Sequence, residues 1–182
     1  MNIAVYCSSS NHIPESYKDS AYALGQWIAD SGNALIFGGA TGGLMTSVSE
    51  GASASGGKIT GIIPQAVIKM NRQSALCTEL ITVETMSDRK ATMKELADVF
   101  VVLPGSYGTL DEMFDVIAAA IVGEHKKQLI VVNENGFYDD LIRQIERMIY
   151  EKFIPVVNYK PLIVNSISEC IQFLKNFCLI KI

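Results

Sequence analysis

Residues 103–114, LPGSYGTLDEMF, combine the residue types that a phosphate-binding turn requires. Pro104 ends an apolar run, two glycines allow a close backbone approach, and Thr109 stands where the N-cap of the next helix is expected. Free N–H groups at a helix N-terminus bind phosphate. The predicted ligand-binding residues of this turn are Gly105, Ser106, Tyr107, Gly108 and Thr109.

Thr109 and Glu112 also form the sequence T-x-x-E, which is typical of a helix capping box. In a capping box both side chains bond to amides of their own helix, and neither reaches a ligand. The position of Glu112 therefore separates a functional interpretation from a structural one. Asp111 points about 100° away around the helix, so we expect a solvated acid and not a second catalytic group.

A second glycine-rich turn, FGGATGGLM at residues 37–45, links another strand to another helix. It matches neither G-x-G-x-x-G nor the P-loop, which requires a lysine. Gly39, Gly42 and Gly43 are predicted to bring backbone N–H groups close to an anion, or alternatively to pack the helix tightly on the sheet. Two anion-binding turns in one sheet would border a crevice of nucleotide size.

A third turn, VETMSDRKATM at residues 83–93, places Arg89 and Lys90 in the first turn of a helix. Cations at that end oppose the helix dipole, so an anionic ligand is expected nearby. The alternative is that both side chains are solvated, as most arginines and lysines are.

Short apolar segments alternate with helical patterns and predict the elements that must position these turns. Segments such as VFVVL and LIVV are apolar at every position, which indicates burial on both faces of a parallel sheet. The prediction is a doubly wound, Rossmann-like α/β fold of about seven strands with helices on both faces. The predicted strands lie at 2–7, 33–39, 58–64, 79–84, 98–104, 127–133 and 161–165, and the predicted helices at 17–30, 44–54, 88–97, 110–122, 137–151 and 168–177.

Composition limits the possible partners and compartments. A chain of 182 residues, 49% of them hydrophobic, is predicted to form one domain over residues 1–182. The net charge of -4 and the scattered basic residues argue against nucleic acid, and no signal-like or membrane-spanning run is seen, so a cytoplasmic protein is expected. The cysteines at 7, 77, 170 and 178 form no C-x-x-C pair, so reduced thiols and no metal are expected.

Together, FGGATGGLM, MSDRKATM and PGSYGTLDE, in this order and with these separations, resemble the Lonely Guy family of cytokinin-activating phosphoribohydrolases. Relatives of that family are often labelled lysine decarboxylases. The likeness extends through YCSSS, GIIP, VGEHKK, NGFYDDL and KFI, which is nearly the whole chain. It implies a Rossmann-like dimer, without a cofactor, that hydrolyses the N-glycosidic bond of an adenine-type nucleoside 5'-monophosphate, with or without an N6-prenyl group.

The resemblance also implies roles for individual residues. The family's catalytic arginine and glutamate correspond to Arg89 and Glu112. The carboxylate would stabilise positive charge on the sugar ring, and the arginine would hold phosphate or ribose oxygens. The expected substrate-binding residues are Gly39, Gly42, Gly43, Glu84, Met86, Lys90, Gly105, Ser106, Tyr107, Gly108 and Thr109.

Four residues depart from the family pattern: Ala40, Thr46, Ser87 and Ser106. Ser106 replaces a usual glycine and would cost about 1 kcal/mol if its φ were positive. Ser87 replaces a histidine, while Ala40 and Thr46 each replace a glycine. These departures bear on substrate choice and turnover more than on the class of reaction.

Two other functions remain as alternatives. Related folds with similar glycine turns could carry a nucleotide or cofactor without hydrolysing it, and a capping role for Glu112 would favour that function. Lysine decarboxylation with pyridoxal phosphate is disfavoured, because the sequence shows no recognisable arrangement of a Schiff-base lysine, a phosphate cup and a partner for the pyridine nitrogen.

The helix after the phosphate turn predicts a homodimer. Every residue from 116 to 122 is apolar, so no polar face is left for solvent. A second subunit would cover the outer side of this helix. The alternative is that the last helix, at 171–177, folds back over it.

Overall fold

The computed structural model describes residues 1–154 and 159–180. Within them the strands are β1 (Asn2–Tyr6), β2 (Ala34–Phe37), β3 (Lys58–Pro64), β4 (Glu79–Val83), β5 (Val99–Val102), β6 (Leu129–Val132) and β7 (Leu162–Val164). They form one parallel sheet in the order β4-β3-β2-β1-β5-β6-β7. The predicted fold class and number of strands are confirmed.

The helices are α1 (Glu15–Asp30), α2 (Gly43–Ala54), α3 (Gln65–Ile68), α4 (Met86–Leu96), α5 (Tyr107–Ile121), α6 (Asp139–Tyr150) and α7 (Ile167–Ile180). The single turn α3 was not predicted. Helix α5 begins three residues before the predicted start at 110. Gly108 and Thr109, predicted to lie in the loop, therefore belong to the helix.

The core has two parts, one on each face of the sheet. Ile3 and Val5 of β1 pack with α1, α2 and α7, whereas Ala4 and Tyr6 pack with α4, α5 and α6. Every residue of β5 and β6 is buried, as their uninterrupted apolar sequences predict. The sheet is therefore doubly wound, with helices on both faces.

Strand order reverses between β1 and β5, which pair in the centre of the sheet. In open α/β sheets, ligands bind at such a reversal, outside the carboxyl ends of the strands. The loops after β1, β2 and β5 meet there, because Ser8 N donates to Pro104 O (3.2 Å) and Leu44 N donates to Ser8 O (2.9 Å). This edge of the sheet is where the site must lie.

The last helix does not cover α5. Cys170 and Leu174 of α7 pack on one face of the sheet, whereas Met113 and Val116 of α5 pack on the other. The intrachain alternative to a dimer is therefore wrong for the described part of α7. Because α7 lies on the opposite face of the sheet, no described helix covers the outer side of α5.

Three cysteines are free thiols: Cys7 and Cys170 are buried and Cys77 is half-buried. The side chain of Cys178 lies outside the described part of the chain. In the residues described, no helix has the length and apolar character needed to cross a bilayer, and no three His, Cys, Asp or Glu side chains cluster as a metal site.

Candidate active site at the carboxyl ends of the central strands

A buried ion pair joins α4 to α5. Arg89 Nη1 lies 2.7 Å from Glu112 Oε1, with only 8% and 3% of the two side chains exposed. Arg89 Nε donates to Ile62 O at the end of β3 (3.2 Å). The guanidinium lies over Gly38, where an added Cβ would stand 1.9 Å from Nη2. The solvated alternative for Arg89 is wrong, because Gly38 makes room for its side chain inside the protein.

Glu112 does not cap its helix. The N-cap of α5 is Ser106, and no side-chain hydrogen bond caps this end, so the positions predicted for Thr109 as N-cap and for a T-x-x-E capping box are wrong. Arg89 Nη1, at 2.7 Å, is the partner of Glu112 Oε1, and no other N–H or O–H of the described residues reaches that oxygen. A carboxylate oxygen can accept more than one hydrogen bond, so its pairing with Arg89 does not exclude a contact with a ligand.

The environment of Glu112 alters its protonation. Burial raises the pKa of Glu112 to about 7, and the positive charge of Arg89 limits that rise. A carboxyl group with this pKa can gain or lose a proton near neutral pH, which is what acid or base catalysis requires.

The N-terminus of α5 is open. The amide N–H groups of Tyr107, Gly108 and Thr109 have no acceptor among the described residues. An added Cβ at Gly108 would meet nothing within 4 Å, whereas one at Gly105 would lie 2.1 Å from Thr109 Oγ1. Free amides facing open space at a helix N-terminus are suited to bind a phosphate.

The N-terminus of α2 is closed by the protein itself. Gly42 N donates to Thr46 Oγ1 (2.7 Å), Gly43 N donates to Asn11 Oδ1 (2.9 Å), and the next two amides donate to Ser8 O. These amides have no free hydrogen to offer an anion, so the structure favours the packing interpretation of this turn.

Close backbone contact explains the glycines of the α2 turn. Gly42 has φ +116 and Gly43 has φ +48, and an added Cβ at either would lie 2.3 Å from a backbone oxygen, of Ser9 and Ser10 respectively. The predicted anion contacts of Gly42 and Gly43 are therefore replaced by contacts with the loop after β1. Gly39 O likewise accepts from Ser74 N (2.8 Å) in the segment before β4.

Lys90 is paired with acidic residues of α5. Its Nζ lies 2.8 Å from Asp111 Oδ1 and 3.8 Å from Asp115 Oδ1, and Lys94 pairs with Asp115 at 2.7 Å. The hydrogen bond to Asp111 raises the pKa of Lys90. Lys90 was predicted to contact an anion or, alternatively, solvent, and Asp111 to be a solvated acid. In the structure the two side chains pair with each other and connect α4 to α5 beside the buried ion pair.

The start of α4 contains the capping box that the sequence suggested for α5. Thr85 and Asp88 bond to each other's backbone N–H, at 3.0 and 3.1 Å. Glu84 and Met86 are exposed next to this cap, and the structure shows no contact that assigns either to a ligand. The T-x-x-D sequence was a usable signal for this helix start.

A cavity of about 240 Å³ borders the open end of α5. Its lining includes the hydroxyl residues Ser8 and Ser10, which follow β1 and were not predicted as site residues. Their position in CSSS, directly after an apolar strand, was the signal that could have identified them. The other lining residues are Ile13, Pro14, Tyr17, Leu44, Pro104, Gly105, Ser106 and Phe137.

Comparison with known proteins shows the family of this chain. The family model described as "Possible lysine decarboxylase" matches residues 45–175. This chain belongs to that family, the Lonely Guy family. The cytokinin riboside 5'-monophosphate phosphoribohydrolase of Oryza sativa subsp. japonica is 38% identical over 84% of this chain and 63% of its own length. A phosphoribohydrolase of Arabidopsis thaliana with the same name is 36% identical over 84% of this chain and 71% of its own.

Solved structures share the fold. The molybdenum cofactor binding protein of Rippkaea orientalis is 26% identical, with a TM-score of 0.72, over 97% of this chain and 96% of that one. A carrier protein for the same cofactor from Chlamydomonas reinhardtii is 19% identical, with a TM-score of 0.74, over 100% of this chain and 98% of that one. The second likeness, at this identity, supports the fold alone.

The four residues that depart from the Lonely Guy pattern lie around the site without blocking it. Ser106 has φ -105, so it adopts its position without the strain expected for positive φ. Thr46 supplies the hydroxyl that binds Gly42 N. Ala40 is buried and pairs with Gln73, and Ser87 is exposed in the first turn of α4. None of the four displaces Arg89 or Glu112.

Proposed function

We propose that this chain hydrolyses the N-glycosidic bond of adenine-type nucleoside 5'-monophosphates, with or without an N6-prenyl group, to free base and ribose 5-phosphate. The observation that carries the proposal is the buried Arg89–Glu112 pair beside the open N-terminus of α5. The names of the phosphoribohydrolase relatives support it. The match spans less than two thirds of the rice relative, so activity and substrate are inferred from this site.

The proposed chemistry divides the substrate between two parts of the site. The amides of residues 107–109 and the hydroxyls of Ser8 and Ser10 bind the phosphate, which anchors the ribose. Glu112 faces the anomeric carbon, stabilises the positive charge that develops there and takes a proton from the attacking water. Arg89 keeps Glu112 in place and offers its remaining N–H groups to ribose oxygens. The electrons of the broken C–N bond leave with the base, which takes up a proton from solvent, while Glu112 releases to solvent the proton that it took from the attacking water.

Incubation with AMP, prenylated AMP and adenosine tests this function. Chromatography should show free base and ribose 5-phosphate from the monophosphates. Adenosine should be a poor substrate in both turnover and affinity, because it lacks the phosphate whose binding positions the ribose. Equal activity on adenosine and AMP would contradict the phosphate anchor.

A carrier function is the second candidate, because the molybdenum cofactor binding protein is 26% identical over nearly the full chain. A carrier needs the open end of α5 but has no need for a buried carboxyl group whose pKa is raised to about 7. The burial and raised pKa of Glu112 therefore favour hydrolysis. Tight AMP binding without any product after long incubation would support the carrier.

The partner in assembly is proposed to be a second copy of this chain. Phe114 and Ile121 of α5, and Val122 directly after it, are 40%, 45% and 72% exposed, and no described segment covers them. Helix α6 lies on the same face of the sheet and contains no buried residue. Joined in a dimer, these apolar surfaces would be removed from water. We further propose a cytoplasmic protein that acts on small molecules and not on nucleic acid.

A further inference from the structure

The segment that follows β6 packs against the turn of residues 103–109, which is proposed to bind phosphate. Phe137 lines the cavity at the open end of α5, and the next residue, Tyr138, is only 3% exposed. Their rings meet edge to face, with 4.9 Å between centroids and 88° between planes. Both residues belong to the sequence NGFYDDL, which contributes no reacting group to the proposed hydrolysis.

The hydroxyl of Tyr138 holds the backbone at the point where β5 passes into this turn. Tyr138 Oη donates to Leu103 O at 2.8 Å, and the bond is buried. Leu103 N donates to Tyr6 O of β1 at 2.9 Å, so Leu103 is held through both its backbone groups. Burial raises the pKa of the Tyr138 phenol, which therefore stays protonated and keeps donating at neutral pH.

Tyr138 is itself held by the side chain of Asn133. Asn133 Oδ1 accepts from Tyr138 N (2.7 Å), and Asn133 Nδ2 donates to Asp139 Oδ1 (2.7 Å). Asn133 is 8% exposed, and its N–H donates to Val164 O of β7 (2.8 Å). The phenol therefore reaches Leu103 O from a support that is anchored on the neighbouring strand.

A shift of Leu103 would reach the amides of α5 within a few residues. Gly105 and Thr109 are in tight contact, since an added Cβ at Gly105 would lie 2.1 Å from Thr109 Oγ1. The turn therefore has little room to absorb a displacement at its start. The free N–H groups of residues 107–109 can bind one phosphate together only while the turn keeps its shape.

We propose that Tyr138 is a positioning residue, whose hydroxyl holds Leu103 O so that the first turn of α5 keeps the geometry that binds phosphate. This inference rests on the proposed function, because it requires the substrate phosphate to bind at α5. The hydroxyl acts on the turn and not on the reacting atoms. Its loss should therefore affect ligands that carry a phosphate and spare those that do not.

Tyr138→Phe tests the proposal, with Tyr159→Phe as the matched control. Each change removes a phenol that donates to a backbone carbonyl, in the control to Lys127 O (3.1 Å), so each should lower the Tm. In Tyr138→Phe, kcat/KM for AMP should fall by about tenfold, whereas kcat/KM for adenosine should change by less than about twofold. The Kd of ribose 5-phosphate, measured by calorimetry, should rise by about tenfold. Tyr159→Phe should keep the wild-type values for all three ligands.

A loss of stability alone would not separate AMP from adenosine. Equal losses for the two ligands, or a wild-type Kd for ribose 5-phosphate in Tyr138→Phe, would overturn the inference, and so would the same weakening of phosphate binding in Tyr159→Phe. All measurements are made well below the lowest Tm, so that every variant is folded. If Tyr138→Phe does not fold, Asp139→Ala replaces it: this exposed carboxylate holds Asn133, and its loss should raise the same Kd, whereas an unchanged Kd would contradict the proposal.

The wild type is measured first, because its behaviour separates this inference from the proposed function. A wild type that binds ribose 5-phosphate but does not hydrolyse AMP would refute the hydrolysis alone, and the Kd values of the variants would still decide the role of Tyr138. A wild type that neither hydrolyses AMP nor binds ribose 5-phosphate would refute both.

Discussion

At the scale of single residues, Glu112 distinguishes an enzyme from a carrier. Glu112→Gln keeps the size of a side chain that is 3% exposed but cannot carry negative charge. We expect kcat with AMP to fall by about a hundredfold or more. The melting temperature should stay near the wild-type value, because no helix cap is lost. Asp111→Asn, one residue away on the half-exposed side, is the control and should retain most activity.

The protonation of Glu112 sets the expected pH dependence. Its pKa is raised to about 7 by burial, and the proposed role needs the carboxylate. In the free enzyme, kcat/KM with AMP should therefore rise with pH through about 7 and level off above it. The phosphate of AMP also changes its charge, with a second pKa of ~6. Glu112→Gln has no carboxyl group at this position, so its affinity for AMP over the same pH range measures the contribution of the phosphate alone. A rate that falls as pH rises through this range would indicate that the protonated form acts as an acid.

At the scale of elements, substitution by alanine should have opposite effects on stability at Gly105, which precedes α5, and at Gly108, in its first turn. An added Cβ at Gly105 meets Thr109 Oγ1 at 2.1 Å, so Gly105→Ala should distort the loop and lower the Tm. Gly108 lies within α5, and its Cβ would meet nothing within 4 Å. Gly108→Ala should stabilise the helix by up to about 1 kcal/mol.

The activity of the two alanine variants tests the phosphate site. In Gly108→Ala the new methyl group enters the open space before the free amides, so KM for AMP should rise although the protein is more stable. Thermal melts together with steady-state kinetics measure both effects. A Gly108→Ala protein that is stabilised and binds AMP normally would place the phosphate elsewhere.

The sequence predicted the elements better than the atoms that meet between them. Strands such as VFVV are apolar throughout, and this local property identified a two-sided sheet. The burial of Arg89 depends on Gly38 and Ile62, which are far away in the chain, and no local pattern reports that contact. The use of the α2 amides by Asn11 and Ser8 is equally nonlocal. The two T-x-x-acid sequences look alike, but in the structure Thr85 caps its helix and Thr109 does not.

At the scale of the whole molecule, the apolar side of α5 is expected to be a dimer interface. The residues at 116 to 122 were predicted to be covered on all sides, yet the helix has an inner side, with Val116 at 0% and Ala119 at 6% exposure, and an outer side, with Ile121 at 45%. Val122, directly after the helix, is 72% exposed. A charge at Ala119 would therefore disturb the core of one subunit as well as any interface. A charge at Ile121, which is 45% exposed, tests the interface with less effect on folding.

Sedimentation velocity of the wild type and of Ile121→Glu decides the assembly. The wild type should sediment at about twice the chain mass of 19.9 kDa. Ile121→Glu should be monomeric, because a buried unpaired charge at an interface is strongly unfavourable. Met70→Glu, which charges a residue 66% exposed beyond α3, is the control and should remain dimeric. A wild-type protein that sediments at 19.9 kDa at micromolar concentration would show that this apolar surface has no second copy as its partner.

Since α5 also begins at the phosphate loop, a monomeric Ile121→Glu that keeps full kcat would show that the site works without help from the neighbouring subunit.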